Sequence, residues 1–175
     1  MQMADLSVRM AQDDQDVGIV RALCREWLDW HWRVYPDDWP PTGADHPMDP
    51  DRFEAILGDL PTLHRRPDGA MFIGSVDGRD AGCVMYHPAG DGAAEFKRMF
   101  VSERDRGHGL GRRMIDAMVE QMRADGYRKA VFSSATFLVH ARALYESVGF
   151  SAAPQPPGLP ETWRDRVYFM ERALA

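Results

Sequence analysis

Arg104, Arg106, Arg112 and Arg113 crowd around Gly107, Gly109 and Gly111, although the whole chain carries a formal charge of −6. Glycines at such a spacing let the backbone take positive φ and bring its N–H groups close to something bulky. Leu110, Met114, Met118 and Met122, flanked by Ile115 and Val119, recur at four-residue spacing, so a helix begins within this cluster. A helix N-terminus presents unpaired N–H groups and a partial positive charge. Preceded by the strand-like run Glu95–Val101, the whole reads as a cradle for phosphate.

Two familiar phosphate loops do not fit. A dinucleotide fingerprint begun at Gly107 would need its third glycine at Arg112, and begun at Gly109 it would need one at Met114. A nucleoside-triphosphate loop needs Gly-Lys followed by Ser or Thr, whereas Gly111 is followed by Arg112 and Arg113. What fits is R-x-x-G-x-G, Arg106 to Gly111, directly after a strand. This resembles the acyl-CoA pyrophosphate loop of the GNAT superfamily of N-acetyltransferases. EFKRMFV (Glu95–Val101) is similar to that family's fourth strand, and ARALYESVGF (Ala141–Phe150) to its late helix and turn. The resemblance covers residues 69–150 well and the N-terminal part more loosely.

The resemblance implies an acyltransferase that moves an acetyl group from acetyl-CoA (coenzyme A) to a primary amine, by direct attack in a ternary complex. The acceptor would be a small molecule. A non-catalytic acyl-CoA-binding sensor and a protein N-acetyltransferase are the competing readings. The backbone of Met99, Phe100 and Val101 would pair with pantetheine, and Arg106, Gly107, His108, Gly109, Leu110, Gly111 and Arg112 would hold the pyrophosphate. Glu95 stands where some members place the base that deprotonates the amine; otherwise it is an exposed sheet residue or a partner of Lys97 or Arg98. Tyr145, in L-Y-x-x-x-G-F, stands where the family often places the acid that protonates the thiolate; otherwise it is core with a satisfied hydroxyl. The family's frequent asparagine seven residues earlier is Leu138 here, so any cofactor hydrogen bond from it is absent.

Trp27, Trp30 and Trp39, with Trp32, Tyr35, Asp29, Asp37 and Asp38 interleaved, lie where the family commonly walls its acceptor site. Aromatic faces and carboxylates suit an ammonium group; packing of a loop onto the sheet is the plainer account. His31, His46, His64, His87 and His140 form no visible ligand set, and no metal is expected.

The elements that must position these residues follow from periodicity and turn chemistry. Leu6–Ala11 reads as a strand and Asp14–Trp32 as a helix. Val34–Met48, with four prolines, reads as a loop. Asp49-Pro50 starts a second helix, which Gly58 and Pro61 should leave short or imperfect. Ala70–Val76, Gly82–Tyr86 and Glu95–Val101 form a meander through Asp77-Gly78 and Asp91-Gly92. Lys129–Ser134 is a parallel strand after the central helix, Val139–Val148 a helix ending at Gly149, Pro154–Pro160 a loop and Val167–Met170 a closing strand. The order βααβββαβαβ predicts a mixed α/β fold, with a six- or seven-stranded sheet and helices on both faces, as the GNAT resemblance also implies.

At 175 residues the chain is expected to be one domain, 1–175. Hydrophobic residues at 45% and charged residues at 27% suffice for a soluble protein with a real core. No run approaches a membrane span, and the N-terminus, MQMADLSVRMAQ, lacks the order of a signal peptide. Cys24 and Cys83 read as buried free thiols, which suits the cytoplasm. The acidic balance argues against nucleic acid as a partner. A homodimer stays open.

Overall fold

The computed structural model describes residues 3–41, 46 and 48–174. Strand β1 is Leu6–Met10. Helix α1, Asp14–Val34, starts where the Asp13 carboxylate accepts the Asp16 N–H at 2.8 Å. It runs two residues past Trp32 and stops at Tyr35, whose extended backbone (ψ 129°) is what the following proline demands. Residues 42–45 and 47 of the expected loop lie outside the described residues, as do Met1 and Gln2.

Helix α2, Pro50–Leu63, corrects an expectation. It continues through Gly58 and Pro61 for 14 residues, with Asp49 as its cap. Pro61 has no N–H to offer the carbonyl one turn back. That carbonyl, on Leu57, instead accepts Arg21 Nε at 2.8 Å, and the Gly58 carbonyl takes Arg21 Nη2 at 3.2 Å. The guanidinium of α1 therefore replaces the bond that the proline removes, and the helix persists.

Strands β2 (Ala70–Val76), β3 (Arg79–Gly90) and β4 (Ala93–Val101) form the meander. Its turns are two-residue, with positive φ at Asp77 and Gly78 (50° and 76°) and at Asp91 and Gly92 (53° and 76°). Turns this tight let β3 pair from Arg79 onward, so it is longer than its apolar run predicted. After a 3₁₀ turn at Glu103–Asp105 come α3 (Leu110–Ala124), β5 (Lys129–Ala135), α4 (Val139–Ser147), β6 (Ser151–Ala153), α5 (Glu161–Arg164) and β7 (Val167–Ala173). Strand β6 and helix α5, at three and four residues, are too short for periodicity to mark.

All seven strands of the described residues join one mixed sheet in the order β1-β2-β3-β4-β5-β7-β6. Only β4 and β5 are parallel, as the intervening α3 crossover requires. Strand β2 is buried throughout and divides its side chains by alternation. Phe72 and Val76 face Met114, Met118 and Met122 of α3, while Met71 and Ile73 face Val20, Cys24 and Leu57 of α1 and α2.

Candidate active site

Strands β4 and β5 pair through only three residues, Ala93, Ala94 and Glu95 with Lys129, Ala130 and Val131. Past Glu95 they diverge, and a cleft of about 620 Å³ opens, lined by Phe96, Met99, Phe100 and Val101 on one side and Phe132, Ser133 and Ser134 on the other. The cause of the divergence lies within β4. Cys83 pairs with Phe100 and Met85 with Lys97, so β4 takes three steps where β3 takes two. The extra residue is a bulge, with Arg98 at φ 53°. Bulges bend and twist the strand that carries them.

The loop expected to hold phosphate leaves the end of β4 and closes one side of this cleft. Its base is fixed by Asp105, whose buried carboxylate pairs with Arg79 and with Arg104 Nε at 3.3 Å. Gly109 caps α3 at φ 88°, a left-handed conformation that a side chain would resist. It supplies no side-chain cap, so no N-cap side chain occupies the first-turn N–H groups of α3. Gly111 serves another purpose. A Cβ there would fall 2.9 Å from Met99 Cε and 3.1 Å from Leu144 Cδ2, so this glycine seats α3 against β4 and α4.

Arg106, expected to hold phosphate, lines the cleft with its guanidinium turned elsewhere. Nε donates to the Val101 carbonyl at 3.0 Å, and the group lies over the rings of Trp30 (4.5 Å) and Phe100 (5.6 Å). Burial lowers its pKa. Gly107, Gly109, Leu110, Gly111 and Arg112 line the cleft with it; His108 does not.

Tyr145 reaches the cleft from α4 and is 5% exposed. Its ring packs on Phe132 and Phe96, at centroid distances of 4.3 and 5.6 Å. Burial pushes its pKa well above the ordinary phenol value, so it holds its proton at neutral pH. Leu138 is the uncapped N-cap of α4 and lines the cleft as an apolar residue. Glu95 stands off the cleft wall, on the last pair of the β4–β5 ladder. Its carboxylate lies 3.2 Å from Lys97 Nζ and 3.8 Å from His87 Nε2.

The aromatic wall is only partly where sequence placed it. Trp27 and Trp30 of α1 line the cleft, together with Val34 and Phe137. Trp39 lies behind, its ring edge-on to Phe137 at 4.9 Å and facing Tyr35 and Trp163. Asp29, Asp37 and Asp38 are not on the wall either. Behind it a chain of hydrogen bonds ties Tyr35 to Pro40, His46 and Met48. Met48 N–H donates to His46 Nδ1 (3.0 Å), which leaves Nε2–H to face the Tyr35 oxygen (3.0 Å), and Tyr35 donates to the Pro40 carbonyl (2.8 Å). Among the cleft residues that sequence reasoning missed are Lys97, Arg98, Asp105, Ser133, Ser134 and Phe137. Only Lys97 and Arg98 carried a signal, because together between Phe96 and Met99 they break the period of two.

The family model described as "Acetyltransferase (GNAT) family" matches residues 24–150. An uncharacterized N-acetyltransferase of Schizosaccharomyces pombe is 34% identical over 103 residues, 56% of this chain and 63% of that protein. The matched stretch thus falls short of two thirds of that relative's length. An IAA acetyltransferase of Azospirillum brasilense is 31% identical over 120 residues, 67% of this chain and 76% of that protein. Among solved structures, a PaiA N-acetyltransferase from Thermoplasma acidophilum in complex with coenzyme A is similar with a TM-score of 0.68. That likeness covers 97% of this chain and 99% of the other, at 12% identity.

Proposed function

The chain belongs to the GNAT family of acetyltransferases, and from that premise we propose that it transfers an acetyl group from acetyl-CoA to a primary amine of a small molecule, both reactants being held together in the β4–β5 cleft. The observation that carries this reading is the divergence of β4 and β5 beside the uncapped N-terminus of α3. A free strand edge and a free set of helix N–H groups adjoin one cavity, which suits an extended thiol arm ending in phosphates. Acetyl-CoA supplies the acetyl group as a thioester, whose C–S bond breaks as the C–N bond forms.

The chain's residues then have separate tasks. The first-turn N–H groups of α3 and the Arg112 side chain hold the pyrophosphate. Backbone groups of Met99, Phe100 and Val101 orient the arm. Tyr145, kept protonated by burial, donates its proton to the departing sulfur. The amine proton goes to Glu95; because Glu95 stands off the wall, water carries it there. Arg106 braces Trp30 and Phe100 beneath the reacting groups instead of touching phosphate. Trp27, Trp30 and Phe137 enclose the acceptor, which supports a small molecule over an extended chain. Trp39 backs Phe137 and shapes that wall indirectly.

Two measurements test the proposal. Acetyl-CoA at a hundred times its dissociation constant should add ~2.7 kcal/mol of stability, a melting shift of about 5–10 °C. Thiol release from acetyl-CoA should accelerate when suitable amines are added. A protein whose melting point ignores acetyl-CoA would sink the reading.

A further inference from the structure

We propose that the acceptor amine also carries a carboxylate, which the Arg98 guanidinium on the bulge of β4 receives. This deepens the transfer reading above and rests on it. Arg98 is unusual in three independent ways. Its φ of 53° places a bulky residue in the left-handed region within a strand, outside any turn. Such a conformation is strained for a residue with a side chain and persists only where the surroundings impose it. Its side chain is half-buried. And it has no counter-ion: among the described residues no carboxylate oxygen lies within 4.0 Å of its nitrogens.

The guanidinium offers five N–H donors. The contact that receives one is the Met85 thioether, Sδ at 3.6 Å from Nη1, a weak acceptor. Glu95, the carboxylate whose field reaches Arg98, is already engaged by Lys97 at 3.2 Å. A charge drawn out of water without a partner is expensive, and a ligand anion removes that expense. By contrast, the buried Asp105 on the same cleft is satisfied by Arg79 and Arg104 and has nothing left to offer an ammonium.

Position decides which ligand benefits. Arg98 lines the main cleft and also a second cavity of about 310 Å³, where its neighbours are Ile56, Leu63, His64 and His87. That is the α1–α2 side of the sheet, across β4 from the phosphate cradle. Arg112 stands at the cradle and Arg106 is stacked on Trp30, while Lys97, which lines both cavities beside Arg98, already has Glu95 as its counter-ion at 3.2 Å. The guanidinium fork matches the two oxygens of a carboxylate. Trp27, Trp30 and Phe137 would flank the carbon skeleton between that carboxylate and the amine. The cleft thus selects an amino acid in the broad sense, one anionic end and one nucleophilic end. The ammonium-binding cage that the Trp and Asp cluster first suggested lacks its carboxylates, since Asp29, Asp37 and Asp38 are off the wall.

The test compares matched acceptors by thiol release from acetyl-CoA. Each set holds an amino acid, its primary amide and the amine lacking the carboxylate, over several carbon skeletons including α- and ω-amino acids. The native protein should favour at least one acid over its own amide by about tenfold or more in kcat/KM, the size of one charge-assisted hydrogen bond. In Arg98→Gln that ratio should fall towards one, with the loss in the acceptor KM, and Arg98→Lys should restore part of it. Equal rates for acids and amides in the native protein would overturn the inference while leaving acetyl transfer standing. So would a preference that survives Arg98→Gln. Should that variant fail to fold, the native comparison alone still decides. Thiol release with no member of any set would overturn the transfer reading itself, and the acceptor inference with it.

Discussion

Replacing Tyr145 with phenylalanine removes one oxygen and keeps everything else the residue does. The ring packs on Phe132, Phe96 and Phe150 at 4.3, 5.6 and 6.3 Å, and phenylalanine preserves all three contacts. Melting temperature and acetyl-CoA affinity should therefore stay close to the parent's. Turnover should not. A positioned acid is worth ~10²–10⁴ in rate. A thiol with a pKa near 8.5 leaves fairly readily without full protonation, which favours the lower end. We expect a loss of about 100-fold, or ~2.7 kcal/mol in the barrier. It is best read from single-turnover thiol release, which product departure cannot mask. The pH profile gives an internal check. Burial raises the Tyr145 pKa, so the acid should remain loaded through pH 9, and the parent should show no descending limb there that the variant lacks. A phenylalanine variant that turns over within about threefold of the parent would refute the role. So would a limb below pH 9 that vanishes with the hydroxyl.

Four further outcomes follow from the geometry. Glu95→Gln should lower turnover tenfold or more at neutral pH and recover much of it at higher pH, where solvent supplies neutral amine; parental rates throughout would remove Glu95 from the reaction. Gly109→Ala should cost about 1–2 kcal/mol through its φ of 88° alone, because no atom lies within 4 Å of the added carbon. Gly111→Ala should instead displace Met99 and Leu144 on the cleft wall, so its acetyl-CoA melting shift should shrink more than that of Gly109→Ala. Burial pushes the Asp125 carboxyl up, but hydrogen bonds from Arg66, Tyr86 and Gln121 outweigh it and hold the pKa below the usual value of 3.8. A depressed folded pKa stabilises above the unfolded value and is lost as pH falls through the folded one. Asp125→Asn should therefore flatten the acid limb of a stability–pH curve below about pH 4, and an unchanged limb would assign it to other carboxylates.

The elements that sequence reading located well are those whose signal is local. Four-residue spacing marks α3, and two Asp-Gly pairs mark the turns of the meander, because each depends on residues within one turn of one another. Pro61 misled because its remedy is Arg21, on a different helix. The glycines of the loop were legible as a spacing, yet the reasons for them differ by position: Gly109 for its φ and Gly111 for a close approach that only packing reveals. Arg106 was legible as a member of the loop but not in its direction, which is set by Trp30 on α1. Trp39 was placed one layer too far forward, since density of tryptophan says nothing about which ring fronts the cavity. Arg98 hid in plain view as half of a basic pair. Its meaning depends on a register shift against β3.

The seven strands are better regarded mechanically as two antiparallel panels, β1 to β4 and β5 to β6, stitched by a parallel seam three residues long. Every other junction between neighbours that borders the seam is a longer ladder: seven residue pairs join β3 to β4 and seven join β5 to β7. Bending should therefore concentrate at Ala93–Glu95 and Lys129–Val131, with the panels turning as plates. A change in the angle between the panels would leave every antiparallel ladder intact. Under the proposed transfer reaction, a seam this short would let one cleft adjust to thioester arms and acceptors of differing bulk while the antiparallel ladders on either side stay intact.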